Sequence, residues 1–171
     1  QALVAAGYRA IAARVDVADG DTVESATQAA ENAFGVPYLL VNNAGIRHRA
    51  PLEDLPRQSW DREIATNLTG PFQCTQIVGR RMLAAGRGAI VNIASMSGTF
   101  GQAMRGAYTP SKAGLIGLTS LTAVEWGGRG IRCNAISPGM ISTPVHAEAY
   151  SNEAVLKARE AGVEVIGDIE L

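Results

Sequence analysis

A doubly wound α/β fold built on a parallel sheet follows from two features of the sequence. Short apolar runs alternate with longer helical patterns, and polar or turn residues close each apolar run. The runs Ala10–Val17, Tyr38–Asn42, Ala89–Ala94 and Ile131–Ser137 predict strands. Their near-continuous apolar character suits strands buried on both faces, as in a parallel sheet. Between them, Gly20–Phe34, Ser59–Ala85 and Ala107–Trp126 predict helices. In the last of these, Leu115, Leu118, Leu121 and Val124 recur at intervals of three and are expected to form a core-facing stripe.

Composition narrows the function classes. The chain has 171 residues, of which 47% are hydrophobic and 18% charged, with a formal net charge of −1. That is enough apolar material for one core, and it offers no electrostatic pull toward nucleic acid or an anionic membrane. No apolar run approaches the ~20 residues that cross a bilayer. No basic stretch followed by an apolar one opens the sequence, so a cytoplasmic protein is expected. Cys74 and Cys133 are far apart and read as small buried hydrophobes. His48 and His146 have no acidic or cysteine neighbours at ligand spacing, so no metal site is expected.

Open α/β sheets bind ligands beyond the carboxyl ends of their strands. Asp16 closes the first apolar run, Asn42-Asn43-Ala44-Gly45 the second, Ser95 the third and Pro138-Gly139 the fourth. Tyr108 and Lys112 are four residues apart and share a helix face. Pro110 between them fits only if the helix has barely begun, which puts Tyr108 in the first turn at the mouth of the sheet. A free tyrosine titrates near ~10 and is a poor proton donor at neutral pH. A lysine ammonium held nearby favours the phenolate and tunes the pair for general acid–base work.

The set Asn42-Asn43-Ala44-Gly45, Asn67, Ser95, Tyr108-x-x-x-Lys112 and Pro138-Gly139-x-x-x-Thr143 resembles the short-chain dehydrogenase/reductase family in order, spacing and placement on elements. The resemblance covers roughly 9–145 and implies an oxidoreductase that moves a hydride between NAD or NADP and a small carbonyl/alcohol substrate. It implies that Tyr108 exchanges a proton with the substrate oxygen, as acid in reduction and base in oxidation. Lys112 would lower the pKa of Tyr108 and hydrogen-bond the nicotinamide ribose, and Ser95 would hold the substrate oxygen. Asn67 would hold a water on its main-chain carbonyl, linking Lys112 to solvent. Pro71, four residues on and lacking an N–H, takes away the normal helical partner of that carbonyl. For the cofactor, the resemblance puts Asp16 and Val17 against the adenine and Asn43 on the adenosine side, with Ala44, Gly45, Pro138 and Gly139 beside it. Ile141, through its main chain, and Thr143 would reach the nicotinamide carboxamide. From the bare residues, Asp16 is more often a turn or cap residue, and Thr143-Pro144 likewise reads as turn chemistry.

Two departures shape the expectation. The sequence opens inside what corresponds to the family's second helix, so the expected fold is a Rossmann-like sheet missing its first two strands and the glycine-rich phosphate loop. Such a chain is expected to bind cofactor weakly, to be inactive or weakly active alone, and to pack its first run loosely. On this reading 1–145 is a partial NAD(P)-binding domain containing the catalytic site, and 146–171 is a helix–strand tail. Ala158–Leu171 is similar to a stretch of the amino-terminal domain of Mur ligases, although no G-x-x-x-x-G-K-[ST] loop accompanies it. The helices Ser59–Ala85 and Ala107–Trp126 are those the family uses between subunits, so a homodimer or homotetramer is expected of a full-length parent. A second reading stays open: a non-catalytic or chimeric product retaining only these oligomerisation helices.

Overall fold

The computed structural model describes residues 2–139. Ile141, Thr143 and the proposed tail 146–171 lie outside the described residues. After a short helix α1 (Ala2–Ala5), helix α2 (Gly20–Phe34) has the predicted bounds. Its start and stop are chemical. The Asp19 side chain accepts the Asp21 N–H at 3.0 Å, and Gly35 ends the helix at φ 82°, where a side chain would be strained.

Strands β1 (Leu39–Asn42), β2 (Gly88–Ile93) and β3 (Ile131–Ile136) form a parallel sheet in the order β1-β2-β3. The register sets Asn42 beside Asn92 and Ile90 beside Cys133, and all three carboxyl ends lie along one edge. The predicted helix Ser59–Ala85 is one helical run in three parts: α3 (Arg57–Ile64), a π-turn (Ala65–Thr69) and α4 (Gly70–Ala84). Helix α5 (Tyr108–Trp126) connects β2 to β3. Val78 and Met82 of α4 pack with Ile90, Ile131 and Cys133 of the sheet, and Trp126 of α5 closes the same cluster. Below the strand ends lies a polar layer. The Asn42 amide donates to Asn92 Oδ1 at 2.8 Å, and the Asn92 amide donates to Thr119 Oγ1 of α5 at 2.8 Å. Satisfied in this way, two buried amides tie β1, β2 and α5 together. Cys74 and Cys133 are buried free thiols, as expected of small hydrophobes.

Three sequence expectations are corrected. The run Ala10–Val17 is not a strand: it has no ladder partner among the described residues, and Ile11 and Val15 are exposed. A strand exists through its ladder, so apolar and β-branched composition alone did not make one. The strands are also not buried on both faces here. Helices α4 and α5 cover one face, while Leu39, Val41 and Ile136 on the other are exposed. Lastly, the stripe on α5 does not face the core throughout. Leu115 is buried at 1% exposure, whereas Leu121 is 54% and Val124 83% exposed. Steps of three fall short of the 3.6-residue turn, so nine residues carry the stripe about 180° around the helix. The buried face is instead Tyr108, Ser111, Lys112, Leu115, Thr119 and Thr122, which is mostly polar.

This difference is measurable. Leu115→Ala should lose about 2–5 kcal/mol in urea unfolding, whereas Val124→Ala should change stability by no more than about 0.5 kcal/mol. Comparable losses at both positions would restore the stripe.

Candidate active site

Tyr108 is the first residue of α5, and Pro110 falls in the first turn, where its missing N–H breaks no helical bond. The Ser111 hydroxyl donates to the Tyr108 carbonyl at 2.7 Å and steadies this turn. Ser95 stands just beyond the carboxyl end of β2 and caps the short 3₁₀ turn Met96–Gly98, its Oγ accepting the Ser97 N–H at 3.1 Å. Its hydroxyl also lowers the pKa of the Tyr108 hydroxyl, which places the two side chains close together. Lys112 is buried, and its Nζ donates to the Ile93 carbonyl at 2.7 Å while lying 5.6 Å from the centre of the Tyr108 ring.

Gly98 makes that arrangement possible. A Cβ built there would stand 2.8 Å from the Lys112 carbonyl carbon and 3.0 Å from the Ala113 nitrogen, so the 3₁₀ turn rests directly on the α5 backbone.

Burial pushes the Tyr108 hydroxyl above its ordinary value; the Ser95 hydrogen bond and the Arg47 charge pull it down, and Glu63 adds to the rise. The Lys112 ammonium lies over the face of the ring and donates to the Ile93 carbonyl. Burial lowers the pKa of Lys112 itself to about 8.

Asn67 is fully buried inside the π-turn. The break expected from Gly70-Pro71 is therefore a wide turn, in which the Gly70 N–H reaches back five residues to the Ala65 carbonyl. Its side chain has a job that motif reading missed. Asn67 Nδ2 donates to the Ile46 carbonyl and Oδ1 accepts the Ile46 N–H, each at 2.8 Å. The amide thus pairs with the backbone that follows Gly45.

On the cofactor side, Asn43, Ala44 and Gly45 are exposed at the end of β1, whereas Asn42 points into the polar layer. A Cβ at Gly45 would stand 3.4 Å from Asn67 Oδ1 and 3.7 Å from Lys112 Nζ, so the bare glycine leaves an open approach to the amine. A nicotinamide nucleotide fits this cradle, which would hold it through Asn43, Ala44, Gly45 and Lys112. Pro138 and Gly139 follow β3 and lie against Met96, the Pro138 carbonyl accepting the Met96 N–H at 3.1 Å. Asp16 Oδ1 accepts the Ala18 N–H at 2.9 Å, its turn-forming alternative, and Val17 packs on Gly70 at the start of α4.

Met104 and Arg105 border a cavity of about 580 Å³ with Leu52, Trp60 and Thr109. Met104 holds a left-handed backbone (φ 62°), a strained setting for a non-glycine residue and one that recurs in functional loops. Glu63, Arg47 and Asn92 are further site or support residues that no motif marked; a charged residue on the buried face of α3 was the available signal for Glu63.

With fold and site in place, the comparisons agree. The short chain dehydrogenase family matches residues 1–154, and the chain belongs to that family. It is 46% identical over 135 residues to D-threitol dehydrogenase of Mycolicibacterium smegmatis, covering 79% of this chain and 52% of that protein. It is 43% identical over 151 residues to L-rhamnose 1-dehydrogenase (NAD(P)(+)) of Azotobacter vinelandii, covering 88% and 59% respectively. A crystal structure of gluconate 5-dehydrogenase from Burkholderia cenocepacia J2315, in complex with NADP and tartrate, superposes with TM-score 0.84 at 32% identity, covering 90% of this chain and 60% of that one. The fold is thus Rossmann-like, and the chain spans between half and two thirds of the length of these relatives.

The rigid seat of Lys112 can be tested by overpacking. Gly98→Ala should destabilise the fold by about 1–3 kcal/mol, because the new methyl meets backbone. Gly101→Ala, where a Cβ meets nothing within 4 Å, should leave the melting temperature near that of the parent.

Proposed function

We propose that this chain carries the proton-transfer centre of an NAD(P)-dependent oxidoreductase that interconverts a secondary alcohol and a carbonyl. The observation that carries the reading is the burial of Ser95, Tyr108 and Lys112 at one end of β2, with the Lys112 amine 5.6 Å from the centre of the tyrosine ring. When bound, the nicotinamide supplies or accepts the hydride. The chain's part is orientation and the proton. Ser95 holds the substrate oxygen, and the Tyr108 hydroxyl donates a proton to it in reduction and recovers one in oxidation. Lys112 supports the phenolate through the ring face and meets the nucleotide ribose at the opening left by Gly45. The wide turn at Asn67 favours a water on its main-chain carbonyl, continuing the proton path from Lys112.

The relatives act on threitol, rhamnose and gluconate by their names, so small polyhydroxylated alcohols and their oxo forms are the first substrates to assay. In keeping with the family, assembly as a homodimer or homotetramer through the helical run Arg57–Ala84 and α5 is part of this reading. The test is NAD(P)H oxidation by the chain, alone and completed to the length of its relatives. Tyr108→Phe should lower kcat by about 10²–10⁴-fold without a matching loss of cofactor binding. Equal turnover by the two forms would refute Tyr108 as the acid, and no turnover by the completed chain would return it to a non-catalytic role.

A further inference from the structure

Glu63 lies on α3, one helical turn before Asn67, at 1% exposure. One carboxylate oxygen accepts the His48 N–H, and among the described residues the other, Oε2, has no hydrogen-bond partner. Burying a half-satisfied carboxylate is costly, so a position selected for packing alone would carry an apolar side chain. Burial holds its carboxyl above the ordinary range, against the pull of the His48 N–H and the charges of His48 and Arg47.

What the fold gains is visible in the loop after β1. Glu63 and Asn67 share a face of the helical run and between them engage three backbone groups: the Ile46 N–H, the Ile46 carbonyl and the His48 N–H. Arg47 sits between the two anchored residues. Its charge acts on both the Tyr108 hydroxyl and the Glu63 carboxyl.

We propose that Glu63 is a positioning residue for proton transfer: with Asn67 it pins the Ile46–His48 loop, and with it the Arg47 charge, to the helical run beside the Tyr108 site. This rests on the reading of Tyr108 as the acid–base group. The hydrogen bond to His48 fixes the loop, and the carboxylate charge limits how far Arg47 favours the phenolate. The groups facing Glu63 are Arg47 and His48 on the loop and Tyr108 on α5.

Two readouts on the intact chain test it: amide hydrogen exchange at His48, and ultraviolet titration of Tyr108 with Tyr108→Phe as the subtraction. Glu63→Gln keeps an acceptor for the His48 N–H but loses the charge. It should leave His48 protected and shift the Tyr108 titration downward. Glu63→Leu should speed His48 exchange about tenfold, the loss expected for one hydrogen bond. Arg47→Gln should shift the Tyr108 titration upward. The proposal is overturned if Glu63→Gln exposes His48 as much as Glu63→Leu does, or if Glu63→Gln and Arg47→Gln leave Tyr108 unmoved. Should Glu63→Leu fail to fold, the Gln forms decide. Full turnover by Tyr108→Phe would overturn the acid–base reading while leaving the His48 exchange pattern intact, so the two failures are distinguishable.

Discussion

The polar face of α5 pressed against the sheet is the constraint on which the remaining structure depends. Helices usually bury apolar stripes, yet this one buries Ser111, Lys112, Thr119 and Thr122 beside Leu115. Each of these groups costs free energy unless it finds a partner. Lys112 takes the Ile93 carbonyl, and Thr119 takes the Asn92 amide while bonding back to the Leu115 carbonyl. Those partners belong to β2, so satisfying the helix fixes its height and rotation on the strand. Tyr108 and Ser95 meet because of that alignment.

A second set of polar contacts does for the loop after β1 what the first does for α5. The helical run from Arg57 to Ala84 opens into a π-turn where Asn67 turns inward, and its amide takes both polar groups of Ile46. The same amide reaches the Ser111 hydroxyl at 3.2 Å. One buried side chain therefore joins the β1 loop to α5, and the backbone that follows Gly45 is held in register with that helix. Wide turns of this kind are uncommon and recur at functional sites. Here the wide turn brings an amide inward without ending the helix.

Much of this was legible in the sequence where local chemistry decides structure. Asp19 and Gly35 bound α2, the β2 and β3 runs are strands within a residue or two of their predicted limits, and Pro110 placed Tyr108 at a helix start. Motif spacing identified Ser95, Tyr108 and Lys112, and the structure brings them together. The failures share another cause: they concern relations between elements. The run Ala10–Val17 has strand composition but no ladder partner, and the leucine stripe of α5 drifts away from a face that the sheet filled with polar groups. Lys112 lies on the face it shares with Tyr108, its amine 5.6 Å from the ring centre. Spacing fixes a shared face, but the carbonyl of Ile93 decides where the amine points. Glu63 and Arg47 belong to no motif, and their importance lies in burial and proximity that appear only in three dimensions.

The central claim is that the Lys112 amine is held away from water against β2, in the same buried site as Ser95 and Tyr108. An NMR titration of the Lys112 side chain measures this directly through its Cε resonance. The account predicts a midpoint at about 8, lowered by burial. A midpoint near the ordinary lysine value of 10.5 would mean a solvated amine and would contradict the assembled site.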